Sequence, residues 1–130
     1  RNRILGYQLY KYDIDGFLHW GYNFWNTQYS KKAINPYEIT DAGGSFPSGD
    51  SFLVYPGEEG PLPSFRLKVL NEAFQDVRAM KLIESMYGRS KADELLENYL
   101  PGLTFDHYPK NQESILSLRE EMNELIKNGA

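Results

Sequence analysis

The sequence predicts an α/β chain that is rich in helix and poor in strand. Three observations carry the prediction. Apolar residues recur at three- and four-residue spacings in four separate stretches, only two short runs have strand composition, and those runs bracket a long loop marked by Pro, Gly and Asn.

In chain order, Ile4, Leu5, Gln8, Leu9 and Tyr12 give residues 2–13 a helical pattern that ends at Asp13-Ile14-Asp15-Gly16, where the glycine provides the turn. Phe17-Leu18-His19-Trp20-Gly21-Tyr22-Asn23-Phe24-Trp25 then has the composition of a buried strand running into a loop. Gly21 marks either a bulge or a close approach of backbone to ligand. From Asn26 to Asp50 the pattern dissolves into turn signals: Asn35-Pro36-Tyr37, Asp41-Ala42-Gly43-Gly44 and Phe46-Pro47-Ser48-Gly49-Asp50. Loops of this length are usually functional or disordered, and the embedded aromatic rings argue for order. Ser51-Phe52-Leu53-Val54-Tyr55 is the second strand, stopped by Pro56-Gly57 and followed by a tight turn through Pro63.

Ser64 is placed to cap a long helix whose face is formed by Leu67, Leu70, Phe74, Val77, Met80, Ile83 and Tyr87, with Gly88 ending it. Ser90 and Asp93 have capping-box spacing for a short helix through Leu95, Leu96 and Tyr99, closed by Pro101-Gly102. The last helix runs from about Ser114 to Lys127 with Ile115, Leu118, Met122 and Leu125 inward. Helical acids are expected to face solvent, and Tyr7, Tyr10 and Phe17 to join the core.

Composition excludes several function classes. The 130 residues contain no cysteine, which removes disulfides, thiolate nucleophiles and cysteine-ligated zinc and leaves the cellular compartment open. A formal charge of −4, with no basic stripe, disfavours nucleic acids and membrane surfaces as partners. No apolar run approaches the ~20 residues of a membrane span, and the start at Arg1 lacks both an initiator Met and a signal peptide's apolar stretch. His19 and His107 fit no zinc-binding spacing, no serine lies in a G-x-S-x-G elbow, and Gly43-Gly44 is not followed by the G-K-[ST] of a phosphate loop. No metal or cofactor is expected.

Aromatic residues make up 15% of the chain, and nine of them fall between Tyr7 and Tyr29, together with His19, Asn23 and Asn26. Flat apolar faces interleaved with hydrogen-bonding groups suit a sugar, which offers a C–H face for stacking and a rim of hydroxyls. Among the carboxylates, Asp13 and Asp15 read as turn residues, Glu58 and Glu59 as an exposed turn, and Asp93-Glu94 as the charged start of a helix. Asp50 differs because it ends the aromatic-bearing loop, where a carboxylate can accept two sugar hydroxyls; an Asx-turn is the plainer alternative.

The succession of residues 16–25, then Gly49-Asp50-Ser51-Phe52-Leu53-Val54-Tyr55-Pro56-Gly57, then Gly60-Pro61-Leu62-Pro63-Ser64-Phe65-Arg66-Leu67 resembles the C-terminal part of the catalytic domain of glycoside hydrolase family 123 and its uncharacterised relatives. The resemblance covers about residues 1–87, with a departure at Asn71–Asp76, where the family has an Arg-Asp-Gly-rich segment. It implies a (β/α)₈ barrel that releases terminal β-linked N-acetylgalactosamine with retention of configuration. The substrate's acetamido oxygen attacks the anomeric carbon, an Asp orients it and an adjacent Glu is the acid/base.

That Asp-Glu pair belongs to an earlier barrel strand, and the one Asp-Glu dipeptide here, Asp93-Glu94, stands in another context, so no catalytic residue is assigned in this chain. A barrel takes about 250 residues. The resemblance therefore implies the C-terminal portion of a (β/α)₈ barrel over residues 1–88, with a helical C-terminal extension over 89–130 packed on it. Residues 2–13 would be the penultimate helix, 16–24 the last interior strand and 64–87 the closing helix. Trp20, Tyr22, Asn23, Trp25, Asp50 and Tyr55 become the substrate-binding candidates at the barrel mouth, although for Trp25 and Tyr55 packing of the loop on the rim is an equal reading. The implied partners are a glycan containing N-acetylhexosamine and the remainder of the parent catalytic domain, whose setting is extracellular, cell-surface or cytoplasmic. Two other readings stand beside this one: a stand-alone carbohydrate-binding or interaction module, and a small enzyme using Asp41 and Asp50 as a carboxylate pair.

Overall fold

The computed structural model describes residues 2–129. Among these, four helices and one two-stranded sheet form: α1 (Ile4–Lys11), β1 (Val54–Tyr55), β2 (Leu62–Pro63), α2 (Phe65–Tyr87), α3 (Arg89–Tyr99) and α4 (Glu113–Gly129). The chain is helix-rich and strand-poor, as its periodicity implies. Packing separates it into two compact units, Phe17–Lys68 on the one hand and Arg1–Gly16 with Val69–Ala130 on the other.

The helical unit is built around a core of Ile4, Tyr7 and Tyr10 from α1, Met80 and Ile83 from α2, Leu95 and Leu96 from α3, and Leu118 and Met122 from α4. The buried stripe of α2 differs from the expected face. It runs through Leu70, Ala73, Asp76, Met80 and Ile83, while Phe74 and Tyr87 are exposed. Two contacts explain the rotation. Gly6 lies so close to α2 that a β-carbon added there would stand 2.1 Å from the Ala73 carbonyl oxygen, so α1 sits over the small residue and not over Phe74. One position further along the stripe, Asp76 is fully buried and accepts hydrogen bonds from Arg3 Nε at 2.8 Å and Arg119 Nη1 at 2.7 Å.

Asp76 thus overturns the expectation that the helical acids face solvent. Its carboxylate ties α4 and the residue preceding α1 to α2, and the shared hydrogen bonds raise the Arg3 pKa. Burial pushes the Tyr7 and Tyr10 phenols up as well, aided by the Asp76 charge at Tyr7 and by the Glu84 carboxylate that accepts from Tyr10 at 2.7 Å.

Caps and turns follow the sequence at one junction and depart at the next. Ser64 Oγ accepts from the Leu67 N–H at 3.3 Å, as a helix cap should. Gly88, at φ 87°, ends α2 and also precedes α3 directly, so the Ser90–Asp93 capping box does not form. Asp93 instead pairs with Arg89 one turn earlier.

In the unit Phe17–Lys68 the predicted strand over 17–25 is not a strand. The segment is irregular and joins its neighbour through a single antiparallel bridge, Asn23 to Phe52. Its β-forming composition describes a chain suited to a pleated surface, and a ladder needs a partner strand on its edge. Phe17 is accordingly 43% exposed and Leu18 85% exposed, against the expectation of a core Phe17. The second strand is shorter than expected, two residues, because its partner is Leu62–Pro63 from the turn-rich segment and proline ends the ladder.

Candidate functional site

Residues 20 and 50 meet because two stretches of chain are laid side by side. Phe24 N–H donates to the Ser51 carbonyl at 3.1 Å and Leu53 N–H to the Tyr22 carbonyl at 2.7 Å. The approach requires a glycine: a β-carbon on Gly21 would stand 2.6 Å from the Ser51 carbonyl oxygen. Gly21 therefore marks an approach of backbone to backbone.

On this frame the Trp20 indole N–H donates to Asp50 Oδ2 at 3.1 Å. The Trp20 ring leans on Phe46 and Phe24, with centroids 4.9 and 5.5 Å away, and is still 48% exposed. An indole held by its edge and open over much of its surface, beside a carboxylate with a second oxygen, is a stacking platform joined to a hydrogen-bond acceptor. Among the described residues the Asp50 carboxylate accepts from the Trp20 indole and from no backbone N–H, so the Asx-turn alternative does not form, while the Asp50 N–H closes a backbone turn to the Pro47 carbonyl at 3.0 Å. Tyr22 and Asn23 are exposed on the same stretch of chain.

Trp25 and Tyr55 are held differently. The Trp25 indole N–H donates to the Val54 carbonyl at 3.0 Å. Tyr55 is half-buried, edge-on to Phe52 and stacked on Tyr37, whose hydroxyl donates to the Pro56 carbonyl at 2.8 Å. Both rings pack the loop. Asp41 accepts from the Gly43 N–H at 3.0 Å in a local turn, which engages the carboxylate that the small-enzyme reading would pair with Asp50.

Two residues outside the six substrate-binding candidates, His19 and Arg66, hold the Asp50 turn. His19 Nε2 lies 2.9 Å from the Asp50 carbonyl oxygen. Arg66 Nη2 donates to the Phe52 carbonyl at 2.8 Å with its guanidinium over the Phe52 ring, and it occupies the space a Gly49 side chain would need. The signal for Arg66 was Gly49 itself, whose φ of 78° and missing β-carbon make room for it. Ser51 Oγ and Arg66 Nε are buried there without a hydrogen-bond partner among the described residues.

Elsewhere, a cleft of about 440 Å³ in the helical unit is bounded by Arg3, Ile4, Tyr108, Lys110, Asn111 and Ile115, and no candidate sugar residue lines it. Among the described residues no group of three or more His, Asp or Glu side chains could hold a metal ion, and no helix is long and apolar enough to cross a membrane. Asp93 and Glu94 lie exposed on α3, paired with Arg89 and Lys91.

A model of the glycoside hydrolase 123 catalytic domain matches residues 1–83 of this 130-residue chain. The chain belongs to that family. Among curated proteins none matches it. In this glycoside hydrolase 123 chain, Trp20 and Asp50 both fall inside the matched stretch, whereas Asp93 and Glu94 fall beyond it.

Proposed function

We propose that this chain is the C-terminal portion of a glycoside hydrolase catalytic domain that acts on terminal β-linked N-acetylhexosamine, N-acetylgalactosamine foremost. Its part is to bind the sugar; the Asp-Glu pair that orients the acetamido group and transfers the proton is supplied by the rest of the domain. The observation that carries this reading is the Trp20–Asp50 pair, an exposed indole hydrogen-bonded to a carboxylate. Trp20 offers its face to the sugar's C–H surface or the acetamido methyl, and Asp50 Oδ1, with Asn23 and the Tyr22 phenol, meets hydroxyls. Trp25 and Tyr55 keep the loop that carries them in shape.

In this reading α1 is the barrel's penultimate helix and α2 its closing helix, and the irregular residues 16–24 lie where neighbouring strands of the domain would pair. The exposure of Leu18 at 85% and Phe17 at 43% supports it, because a segment that lacks its pairing partners leaves apolar side chains uncovered. Residues 89–130 form an extension beyond the catalytic domain, a division supported by a family match that ends at residue 83. The extension packs its Leu95, Leu96, Leu118 and Met122 into the core shared with α1 and α2.

A second reading, sugar binding without chemistry, is favoured by one feature: the Trp20–Asp50 surface is held by contacts from within residues 17–68 alone. An aryl β-N-acetylgalactosaminide separates the two. The source protein in its full encoded length should hydrolyse it while residues 1–130 should not. Absence of hydrolysis by both, with sugar bound by residues 1–130, would replace the hydrolase reading by the binding one.

A further inference from the structure

We infer that His19 is a positioning residue that sets Asp50 for sugar binding; the inference rests on the Trp20–Asp50 reading above. His19 and Trp20 are consecutive in the chain, yet both reach the same residue. His19 Nε2 meets the Asp50 backbone carbonyl at 2.9 Å and Trp20 Nε1 meets its carboxylate at 3.1 Å. In a regular strand neighbouring side chains point to opposite faces, so this double grip depends on the bend at Trp20. A carbonyl can only accept, so Nε2 carries the hydrogen.

The two bonds do different work. The bond from Trp20 touches the carboxylate that would meet the sugar, whereas the bond from His19 fixes the peptide unit from which that carboxylate hangs. Asp50 sits at the end of a turn with Gly49 N–H bonded to the Thr40 carbonyl at 2.7 Å on the other side. Without His19 the carbonyl of Asp50 loses its side-chain anchor, and the Asp50–Ser51 peptide can turn between the bonds that remain on either side of it, Asp50 N–H to the Pro47 carbonyl and Phe24 N–H to the Ser51 carbonyl, shifting the carboxylate away from the indole. Phe17 lies next to the imidazole, with ring centroids 6.4 Å apart, and helps hold its plane.

Nitrogen-15 NMR of residues 1–130 tests this directly, because the chain has two tryptophans and their indole N–H groups have separate acceptors. The Trp20 signal is identified as the one that moves in Asp50→Asn. His19→Ala should move it toward the position of a free indole and weaken binding of methyl β-N-acetylgalactosaminide about tenfold, the order expected for one oriented hydrogen bond. His19→Gln, whose amide nitrogen can stand near the Nε2 position, should restore both; His19→Asn, one methylene shorter, should not. The Trp25 signal, bonded to the Val54 carbonyl, reports that the loop remains folded. If His19→Ala loses that signal too, the Gln and Asn variants decide the comparison. A Trp20 signal and an affinity indifferent to His19, or a Gln variant no better than Asn in a folded loop, overturns the inference. If the unaltered chain binds no sugar while the Trp20 signal still follows His19, the sugar reading fails and the positioning of Asp50 stands.

Discussion

Replacing Asp76 by asparagine keeps the shape of the side chain and removes the charge that Arg3 and Arg119 share. The two guanidinium groups, 23% and 29% exposed at the side chain, are then left beside a neutral amide that can accept at only one oxygen. Breaking a buried pair in this way costs roughly 3 kcal/mol or somewhat more. Asp76→Asn should lower the free energy of urea unfolding by that order, whereas Asp76→Leu combined with Arg3→Met and Arg119→Met should lose much less. Equal losses in the two proteins would show that the charges contribute nothing specific. Nothing in the pattern of α2 announces this residue, because a hydrophobic periodicity counts Asp76 and Ala73 as gaps and promotes Phe74 and Val77 in their place. At the site the residue scale was more legible. Trp20 and Asp50 stand out by type and by position next to glycines, and the structure brings them within hydrogen-bonding distance. His19 stood among the polar groups of that stretch, but its role and that of Arg66 were not legible, because each acts on a backbone carbonyl contributed from elsewhere in the chain.

Elements were legible where local chemistry sets them and illegible where a partner does. Both ends of α2, its start after Ser64 and its end at Gly88, follow from a side-chain cap and a positive φ, which are local. The segment 17–25 has strand composition but lacks a ladder, since pairing is set by what lies beside it. The packing of α1 on α2 is likewise invisible in either helix alone. In an isolated helix alanine is favoured over glycine by about 1 kcal/mol, so Gly6→Ala would be expected to stabilise α1. Here the added carbon meets the Ala73 carbonyl at 2.1 Å, and the backbone must move. Gly6→Ala should therefore destabilise the protein by about 1–3 kcal/mol in chemical denaturation, and Ala73→Gly should not rescue it because the obstacle is main chain. Rescue by Ala73→Gly, or a gain in stability from Gly6→Ala, would contradict this packing.

At the scale of the whole molecule, family membership and surface chemistry point the same way. Residues 1–83 match a catalytic domain of glycoside hydrolases, and within them an irregular, ring-lined stretch exposes Trp20 beside a half-buried Asp50. The three sequence blocks that carry the family likeness also contain the residues that build this surface: the 16–25 block supplies His19, Trp20 and Gly21, the 49–57 block supplies Gly49, Asp50 and Phe52, and the 60–67 block supplies Arg66. Their spacing along the chain reflects one local assembly. Calorimetric titration of residues 1–130 with methyl β-N-acetylgalactosaminide, compared with Trp20→Ala and Asp50→Asn, tests the sugar-binding claim most directly. Saturable binding that both substitutions abolish, in variants that stay folded, is the expected result; absence of binding by the unaltered chain, or undiminished binding by Trp20→Ala, would contradict it.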